Sequence, residues 1–368
     1  MPERNTMKKI QELQQVKGDA YDYYIAGNED TDLFEKIFLV DDIVEEICKP
    51  DKYFLIGEKG SGKTAYSVYM SKSDKINSFC SISLVENTLY QRFLNMKRQK
   101  ALELSSFKDV WINLIYLILA EKIRKEYGET FFSSIKYKQL SKAIDVFYSD
   151  AFKPEFVNAF EFVDNASASI NSMMKQGLFS TGTKASAETS QKYVEQSFQI
   201  SLLKIRDGFE KAFMSVNLKK PTILFVDGID ARPRDIDNEQ YFECLVGLVN
   251  AVLEMNQSFL KEKQIKIMLL IRPDIMYKMP VHNMNQKLRN NSVLLNWVTS
   301  YRKYIDSKLF KIADDYFMKQ QDYSYELGEC WNYYFPYKVE YQEKWKAPDN
   351  PFVEFLRYSL YKPRDILT

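Results

Sequence analysis

The amino-acid sequence predicts an α/β fold in which helices cover both faces of a parallel β-sheet. The first observation is a set of three short apolar runs, each typical of a strand buried on both faces: Tyr53–Ile56, Ile223–Val226 and Ile265–Ile271. The second observation is the helical periodicity of the segments between these runs. Because strands that alternate with helices usually pair in parallel, the two observations together predict the α/β class.

Composition bounds the class of protein and its partners. The chain has 368 residues, of which 45% are hydrophobic and 27% are charged, as in ordinary globular proteins. Its 51 basic and 50 acidic side chains give a net charge of +1, so the chain as a whole does not attract nucleic acid or anionic membranes. The best apolar run, Val110–Ala120, is interrupted by Asn113 and is too short to span a membrane. We therefore expect a cytoplasmic protein with no membrane partner, in which nucleic acid binding would need a local basic patch.

The segments before the first strand are predicted to form an arm and a helix. Residues 1–30 are polar and rich in tyrosine without a clear period, which indicates an arm, or a helix, that packs on another surface. From Thr31, a predicted capping residue, apolar residues recur at helical spacing and predict a helix over residues 31–47.

A long helical insertion, at about residues 90–220, is predicted within a core domain of residues 31–305. Before the insertion, Ser78–Leu84 alternates between apolar and polar residues and predicts a further strand nearer the sheet edge. A helix in the insertion has one predicted apolar side, formed by Val110, Leu114, Leu117 and Ile118. Residues 164–190 are small and polar, which is typical of a mobile loop, and a docking site is the alternative.

The C-terminal region, residues 306–368, is predicted to be helical and aromatic. Between Tyr316 and Trp345, 11 of 30 residues are aromatic, which suits either stacking on nucleic acid bases or a packed core or protein interface. Three lysines against five acids in this window favour the core or interface, because acids repel phosphate. An apolar helix begins just before Thr368, so we expect a natural chain that continues further, or one that was cut there.

A phosphate-binding loop is predicted from clustered glycines. The chain has only 12 glycines, and three of them lie between Gly57 and Gly62. The segment Gly57–Thr64 matches G-x-x-x-x-G-K-[ST] between an apolar strand and a helix, where backbone N–H groups can wrap a phosphate. Lys63 would reach the β- and γ-phosphates and Thr64 would hold Mg²⁺. The predicted nucleotide contacts are Gly57, Glu58, Lys59, Gly60, Ser61, Gly62, Lys63, Thr64 and Ala65.

The sequence after the second apolar run predicts two acids for hydrolysis. Asp227 ends that run, where a magnesium-binding acid is expected in proteins with this loop. Position 228 is glycine, so Asp230 is the nearest second acid, and we predict that it orients or deprotonates the attacking water. A turn-capping role for Asp227 and an exposed loop position for Asp230 are the alternatives. No N-K-x-D motif for guanine follows the strand, which favours ATP as the nucleotide.

These motifs resemble those of STAND-type ATPases, the AAA+ relatives that include the NACHT and KAP proteins. The resemblance covers about residues 53–273 and uses the loop, the DGID segment that begins at Asp227, and the strand that ends in Arg272-Pro273. The chain is also similar to the bacterial P-loop ATPases grouped with FunZ. The resemblance implies a P-loop NTPase fold and an ATP-driven switch that couples to assembly or to an effector protein, in bacterial stress or phage defence.

The resemblance also implies further site residues. Arg272 would occupy the sensor-1 position and report the γ-phosphate, with a surface position before a helix as the alternative. Arg364 in the KPRDIL segment would be a sensor-2 phosphate contact. Relatives commonly complete the site with an arginine from a neighbouring subunit of a homo-oligomer. Arg289 is the preferred candidate for that arginine, and Arg232 and Arg234 are the alternatives.

Two departures from the family pattern leave other functions open. Lys63 and Asp227 are 164 residues apart, a long separation that the helical insertion would explain, and the residue after Asp227 is not acidic, which predicts slow turnover. A P-loop kinase is the first alternative, although the insertion lacks the compact, arginine-rich character of a kinase lid. A scaffold that binds ATP without turnover is the second.

Overall fold

The structure is a computed structural model, and it describes eight segments of the chain: residues 7–25, 28–85, 107–132, 137–150, 202–229, 238–279, 288–340 and 349–368. It has an α/β architecture, with a five-stranded, all-parallel sheet flanked by helices. Four of the predicted features lie outside the described residues: the loop over residues 164–190, Asp230, Arg232 and Arg234. No helix within the eight segments is long and apolar enough to cross a membrane.

The sheet contains all four strands that the sequence predicts. Its strands are β1 (Phe54–Ile56), β2 (Phe79–Leu84), β3 (Thr222–Asp227), β4 (Ile265–Ile271) and β5 (Ser292–Leu294). Their order is β2-β3-β4-β1-β5, so the alternating strand β2 lies at an edge, as predicted. Every residue of β3 and β4 is buried, which is why both read as continuous apolar runs. Strand β5 was not predicted from the sequence.

The helices before the sheet differ from the single predicted helix. Three α-helices are present in the described part of this region: α1 (Tyr21–Ile25), α2 (Asn28–Ile37) and α3 (Asp42–Cys48). Helix α2 begins before Thr31, so that residue is inside the helix and is not its cap. Asp41 separates α2 from α3, because its backbone is extended and its side chain accepts a hydrogen bond from Ile43 N–H at 3.1 Å. The apolar spacing of the sequence continues past Asp41, but the cap that Asp41 forms interrupts the helix there.

The remaining α-helices of the eight described segments follow the loop and the later strands. They are α4 (Lys63–Lys72), α5 (Phe107–Phe132), α6 (Lys138–Asp150), α7 (helical residues 202–215), α8 (Asn238–Asn256), α9 (Pro273–Lys278), α10 (Lys308–Met318), α11 (Glu329–Tyr334), α12 (Pro351–Ser359) and α13 (Pro363–Leu367). Helices α5, α6 and α7 lie within the predicted helical insertion.

Helix α5 corrects the prediction of one apolar side. Every residue of Val110–Ala120 is buried, so this part of the helix is covered all round. Helix α8 packs closely against it at Gly247, where an added Cβ would lie 2.6 Å from Phe107 Cβ. The indole of Trp111 donates to Cys244 O at 3.1 Å across the same contact. A helix that is apolar on all faces is typical of a buried core element.

The chain divides into two compact units. The first comprises Met1–Lys49, Leu55–Ile76 and Val293–Thr368, and the second comprises Pro50–Phe54 and Asn77–Ser292. The N-terminal arm, the glycine-rich loop and the C-terminal region thus share the first unit. The predicted core domain of residues 31–305 is distributed over both.

The first unit has an aromatic core. Four aromatic side chains and five smaller ones form a buried cluster, called the aromatic cluster below. It consists of Met7, Leu309, Phe310, Ala313, Phe317, Cys330, Trp331, Phe352 and Leu356. Phe317 and Trp331 lie in the predicted aromatic window and are packed as core residues. The N-terminal arm lies against this region, since Tyr334 Oη donates to Lys8 O at 2.7 Å and Tyr316 Oη donates to Gln14 O at 2.8 Å.

A buried amide joins a helix to the sheet in the second unit. Asn256, the last residue of α8, is 3% exposed. Its Nδ2 donates to Ile267 O at 2.8 Å, and its Oδ1 accepts from Ile267 N–H at 2.9 Å. The side chain thereby pairs both backbone groups of one residue of β4, as a neighbouring strand would.

Replacement of Asn256 by alanine is expected to lower the free energy of unfolding by about 2–4 kcal/mol, because it leaves two buried backbone groups of Ile267 unpaired. Urea denaturation followed by circular dichroism measures the change. Gln257→Ala is the matched control, since it truncates an exposed amide at the next position and should change stability by less than about 0.5 kcal/mol. Equal stabilities of the two variants would contradict the role assigned to Asn256.

Candidate functional site

The glycine-rich loop connects β1 directly to α4. Gly60 and Gly62 have φ values of +85° and +93°, a left-handed backbone that residues with a Cβ rarely adopt. At Gly57 the requirement is space, because an added Cβ would lie 2.3 Å from Ser61 Oγ. The loop ends at Lys63, the first residue of α4. The glycine spacing of the motif therefore has a conformational or steric cause at each position.

The side chain of Lys63 folds back onto the loop. The residue is 8% exposed, and its Nζ donates to Gly57 O at 2.8 Å and to Glu58 O at 3.2 Å. Two backbone carbonyls of the loop thus accept hydrogen bonds from a buried ammonium group beside the N-terminus of α4. Because an ionised acceptor forms a stronger hydrogen bond with an ammonium group than a carbonyl does, this position suits an anion.

The loop residues fit the phosphates of a nucleotide. Ser61 Oγ is buried and has no hydrogen-bond partner among the described residues, so this loop hydroxyl is able to bond to a phosphate oxygen. Gly62 is the N-cap of α4, and Thr64 and Ala65 lie in its first turn, where backbone N–H groups lack partners within the helix. These N–H groups and the helix dipole favour negative charge at the loop.

The C-terminal helix α13 lies beside the loop. Arg364 N–H donates to Gly60 O at 3.4 Å, and its Cβ lies 3.6 Å from the place where a Cβ on Gly60 would be. The Lys362 side chain approaches the same place to 3.5 Å. The structure therefore places the backbone and Cβ of Arg364 beside the loop, and its role as a phosphate contact stays a prediction. Lys362 was not singled out in the sequence, although it belongs to the same segment.

Two residues after β5 contact the loop and were not found by sequence reasoning. Trp297 Nε1 donates to Ser61 O at 2.8 Å. Leu295 pairs with the end of β1 through a 2.8 Å bond from its N–H to Ile56 O, and its Cβ lies 3.1 Å from the place of an added Cβ on Gly57. No motif marks either residue, because their role depends on a contact between distant parts of the chain.

An ionic network anchors α4 behind the loop. Tyr66 Oη donates to Asp41 Oδ1 at 2.9 Å, and Lys308 Nζ donates to Asp41 Oδ2 at 2.7 Å and to Asp42 Oδ1 at 2.6 Å. Burial, followed by the charge of Asp41, raises the pKa of Tyr66 well above its usual value, so its hydroxyl remains a donor. The hydrogen bond and the charge of Lys308 lower the pKa of Asp42. The network joins helices α3, α4 and α10.

Asp227 is the last residue of β3 in the second unit, as predicted. It is 7% exposed, and its Oδ1 accepts a hydrogen bond from Gly228 N–H at 2.7 Å. Gly228 has a φ of +84°, and an added Cβ there would lie 2.9 Å from Val85 O. Position 228 therefore favours glycine over any residue with a Cβ, which explains why no acidic residue follows Asp227 directly in this chain.

Arg272 follows β4, the strand that pairs with β3. Its guanidinium binds the Asp274 carboxylate through two hydrogen bonds, at 2.9 Å and 2.8 Å, and it precedes helix α9, which begins at Pro273. Because β3 and β4 are parallel neighbours, Asp227 and Arg272 both lie at carboxyl ends of adjacent strands. Arg289 was expected in a loop, but it is exposed within a single helical turn over residues 288–290.

The predicted magnesium ligands, Thr64 and Asp227, are a hydroxyl and a carboxylate. Within the described parts of the chain, no group of three or more His, Cys, Asp or Glu side chains is arranged to hold a metal ion. A magnesium ion that binds together with substrate phosphates commonly uses only one or two protein oxygens. The assignment of Thr64 and Asp227 as ligands therefore stays a prediction.

Comparisons with protein-family models, with curated proteins and with solved structures find no match to this chain.

Proposed function

We propose that this chain is an ATP-binding and ATP-hydrolysing switch of the STAND or KAP type, with a P-loop NTPase fold. The observation that carries the proposal is the Gly57–Gly62 loop between β1 and α4, followed by the buried Lys63 at the start of the helix. Nucleotide state would be coupled to self-assembly or to a partner effector protein. The proposal includes a cytoplasmic location and, from the resemblance, a setting in bacterial stress or phage defence.

Phosphate binding would use groups that already lie at the loop. The N–H groups at the start of α4 would donate to phosphate oxygens, and Lys63 would exchange its two carbonyl acceptors for the ionised phosphate. Because the ammonium group is already buried, most of the cost of removing it from water is incurred before the nucleotide binds. The exposed side chain of Arg364, whose backbone contacts Gly60, would supply a second cation.

Hydrolysis would use residues assigned from the motif order. When bound, Mg²⁺ would neutralise charge on the β- and γ-phosphates, and Thr64 and Asp227 are its assigned ligands. Asp230 is assigned to the attacking water and Arg272 to the γ-phosphate. The pair between Arg272 and Asp274 is partly exposed, with 26% and 44% of the two side chains accessible. Such pairs contribute only about 0–1 kcal/mol, so the guanidinium can exchange its partner at low cost.

A phosphate-release assay with and without candidate acceptors tests the proposal, together with native mass in the presence and absence of Mg²⁺-ATP. We expect release from ATP without an acceptor, and a larger mass with ATP. Release only with an acceptor would indicate a kinase, and ATP binding without release would indicate a scaffold. Calorimetry that detects no ATP binding would contradict the proposal as a whole.

Arg289→Ala is expected to abolish most hydrolysis and to retain ATP binding, because the exposed Arg289 is the proposed donor to the γ-phosphate of a neighbouring subunit. The specific activity of the wild-type chain should also rise with protein concentration. A phosphate-release assay over a concentration series measures both effects.

A mixing experiment provides the control for this prediction. Arg289→Ala retains an intact loop and Lys63→Ala retains the arginine, so a mixture of the two inactive variants should recover part of the activity. Activity that is independent of concentration, combined with a monomeric mass in ATP, would exclude assembly and leave a monomeric switch. If Arg289→Ala hydrolyses ATP while Lys63→Ala does not, Arg232 and Arg234 become the candidates for the arginine that acts on the neighbouring subunit.

A further inference from the structure

The indole of Trp297 contacts the glycine-rich loop from a distant part of the chain. Its Nε1–H donates to Ser61 O at 2.8 Å, and 236 positions separate the two residues. The bond length is that of a well-formed N–H···O hydrogen bond. Trp297 belongs neither to the motif nor to the predicted nucleotide contacts. Among the residues described at the loop, it is the one outside these groups whose side chain donates to a loop carbonyl.

We infer that Trp297 is a positioning residue for nucleotide binding, which orients the Ser61–Gly62 peptide so that Gly62 N–H faces a bound phosphate. This inference rests on the proposed function, since it assigns a role within the same site. Trp297 is not assigned a contact with the nucleotide itself.

The planarity of the peptide bond carries the inference. In a trans peptide the C=O of one residue and the N–H of the next point in opposite directions. The indole therefore determines the direction of Gly62 N–H when it holds Ser61 O. Gly62 is the left-handed N-cap of α4, so its peptide can rotate at little steric cost unless something restrains it. The indole supplies that restraint on the carbonyl side, away from the direction in which Gly62 N–H points.

Trp297 is itself held on both sides. Two residues earlier, Leu295 N–H donates to Ile56 O at 2.8 Å, which ties the backbone to the end of β1. The indole is half-buried and packs against the aromatic cluster of the first unit. A donor on rigid support can position a loop without itself losing much freedom when a ligand binds.

The test compares Mg²⁺-ADP affinities by calorimetry, because the β-phosphate of ADP is the group that the loop N–H groups would hold. Trp297→Phe preserves an aromatic ring and removes the N–H donor, and it should weaken Mg²⁺-ADP binding about 3- to 10-fold, as expected for one hydrogen bond. Trp297→His places a shorter ring with an N–H donor at the same position and should recover part of the loss.

Trp331→Phe is the matched control. Trp331 belongs to the aromatic cluster, and its Nε1 donates to Asn350 Oδ1 at 3.1 Å rather than to the loop. The control therefore also loses one indole hydrogen bond in the same unit, but its Mg²⁺-ADP affinity should change less than twofold. Equal losses of affinity in the two phenylalanine variants would reduce Trp297 to a general structural role and overturn the inference.

A measurement on the unmodified chain covers the case in which Trp297→Phe does not fold. With ¹⁵N-labelled tryptophan, the four indole N–H groups give separate NMR signals, and Trp297→His identifies that of Trp297 by its loss. Saturation with Mg²⁺-ADP should shift this signal more than that of Trp331, because only the first indole is bonded to the loop.

The outcomes separate this inference from the proposed function. If the wild-type chain binds Mg²⁺-ADP and both the affinity of Trp297→Phe and the Trp297 signal remain unchanged, the positioning role is wrong and the proposed function stands. If the wild-type chain binds neither ATP nor ADP, the proposed function fails, and the inference fails with it.

Discussion

Replacement of Lys63 by alanine is expected to weaken ATP binding about 30-fold or more. The ammonium group is buried beside the loop, and loss of a buried, charged hydrogen-bond partner typically costs about 2–5 kcal/mol, which corresponds to about 30- to 5,000-fold in affinity. Isothermal calorimetry with ATP in the presence and absence of Mg²⁺ measures the change. Equal affinities of the variant and the wild-type chain would exclude the loop as the phosphate site.

The stability of the Lys63 variant requires its own measurement. Truncation removes the donor of two hydrogen bonds to Gly57 O and Glu58 O, so a fall of about 1–2 kcal/mol in unfolding free energy is expected. Lys75→Ala is a suitable control, since Lys75 is an exposed lysine of the same unit beyond the C-terminus of α4. ATP affinity should be unchanged in this control and lost only in the Lys63 variant.

Asp227→Asn is expected to lower the rate of Mg²⁺-dependent ATP hydrolysis about 10²- to 10⁴-fold, because it removes the proposed carboxylate ligand and a bound metal contributes several kcal/mol to such reactions. Asparagine retains an oxygen that can accept the hydrogen bond from Gly228 N–H, so the end of β3 should be preserved. Binding of ATP without Mg²⁺ should change little. Phosphate release over a magnesium titration gives the rate.

A second acid and a control complete this experiment. Asp230→Asn should slow hydrolysis roughly 10²- to 10⁴-fold, the range for loss of a general base, without a change in magnesium dependence. Asp207→Asn removes an exposed carboxylate of the second unit and should leave the rate unaltered. A wild-type rate in Asp227→Asn would contradict the magnesium assignment, and a wild-type rate in Asp230→Asn would show that another group activates the water.

Local patterns were sufficient to predict the main strands. The three apolar runs become β1, β3 and β4 because a strand covered on both faces favours apolar side chains at most positions, although the buried Lys266 lies within β4. The alternating run became the edge strand β2. These patterns can be recognised in one strand alone, because buried positions favour apolar residues and exposed positions favour polar ones.

Helix boundaries were less well predicted, since apolar spacing does not register a local break. The spacing continued from α2 into α3, whereas Asp41 caps α3 and separates the two helices. In α5 the spacing suggested one buried side, yet Asn113 is also buried, at 1% exposure. Its Nδ2 donates to Asp109 O at 2.9 Å within the helix, whereas its Oδ1 is buried with no hydrogen-bond partner among the described residues.

The glycines have two kinds of cause, one local to the loop and one that comes from a neighbouring strand. The motif from Gly57 to Lys63 placed the loop between a strand and a helix, because glycine at fixed spacing reports backbone demands that are local. The glycine after Asp227 was recognised only as a departure from a family pattern. Its cause is the approach of the Val85 carbonyl, which depends on the pairing of β2 with β3.

By itself, the sequence determined the α/β class, the position of the glycine-rich loop and the strand end at Asp227, because each follows from neighbouring residues. The tertiary structure alone decided which residues outside the predicted site support the loop: Trp297 and Leu295 after β5, and Lys362 before α13. Single hydrogen bonds and close approaches between remote segments leave no periodicity or spacing in a sequence. They arise only when the packing of the whole unit brings those segments together.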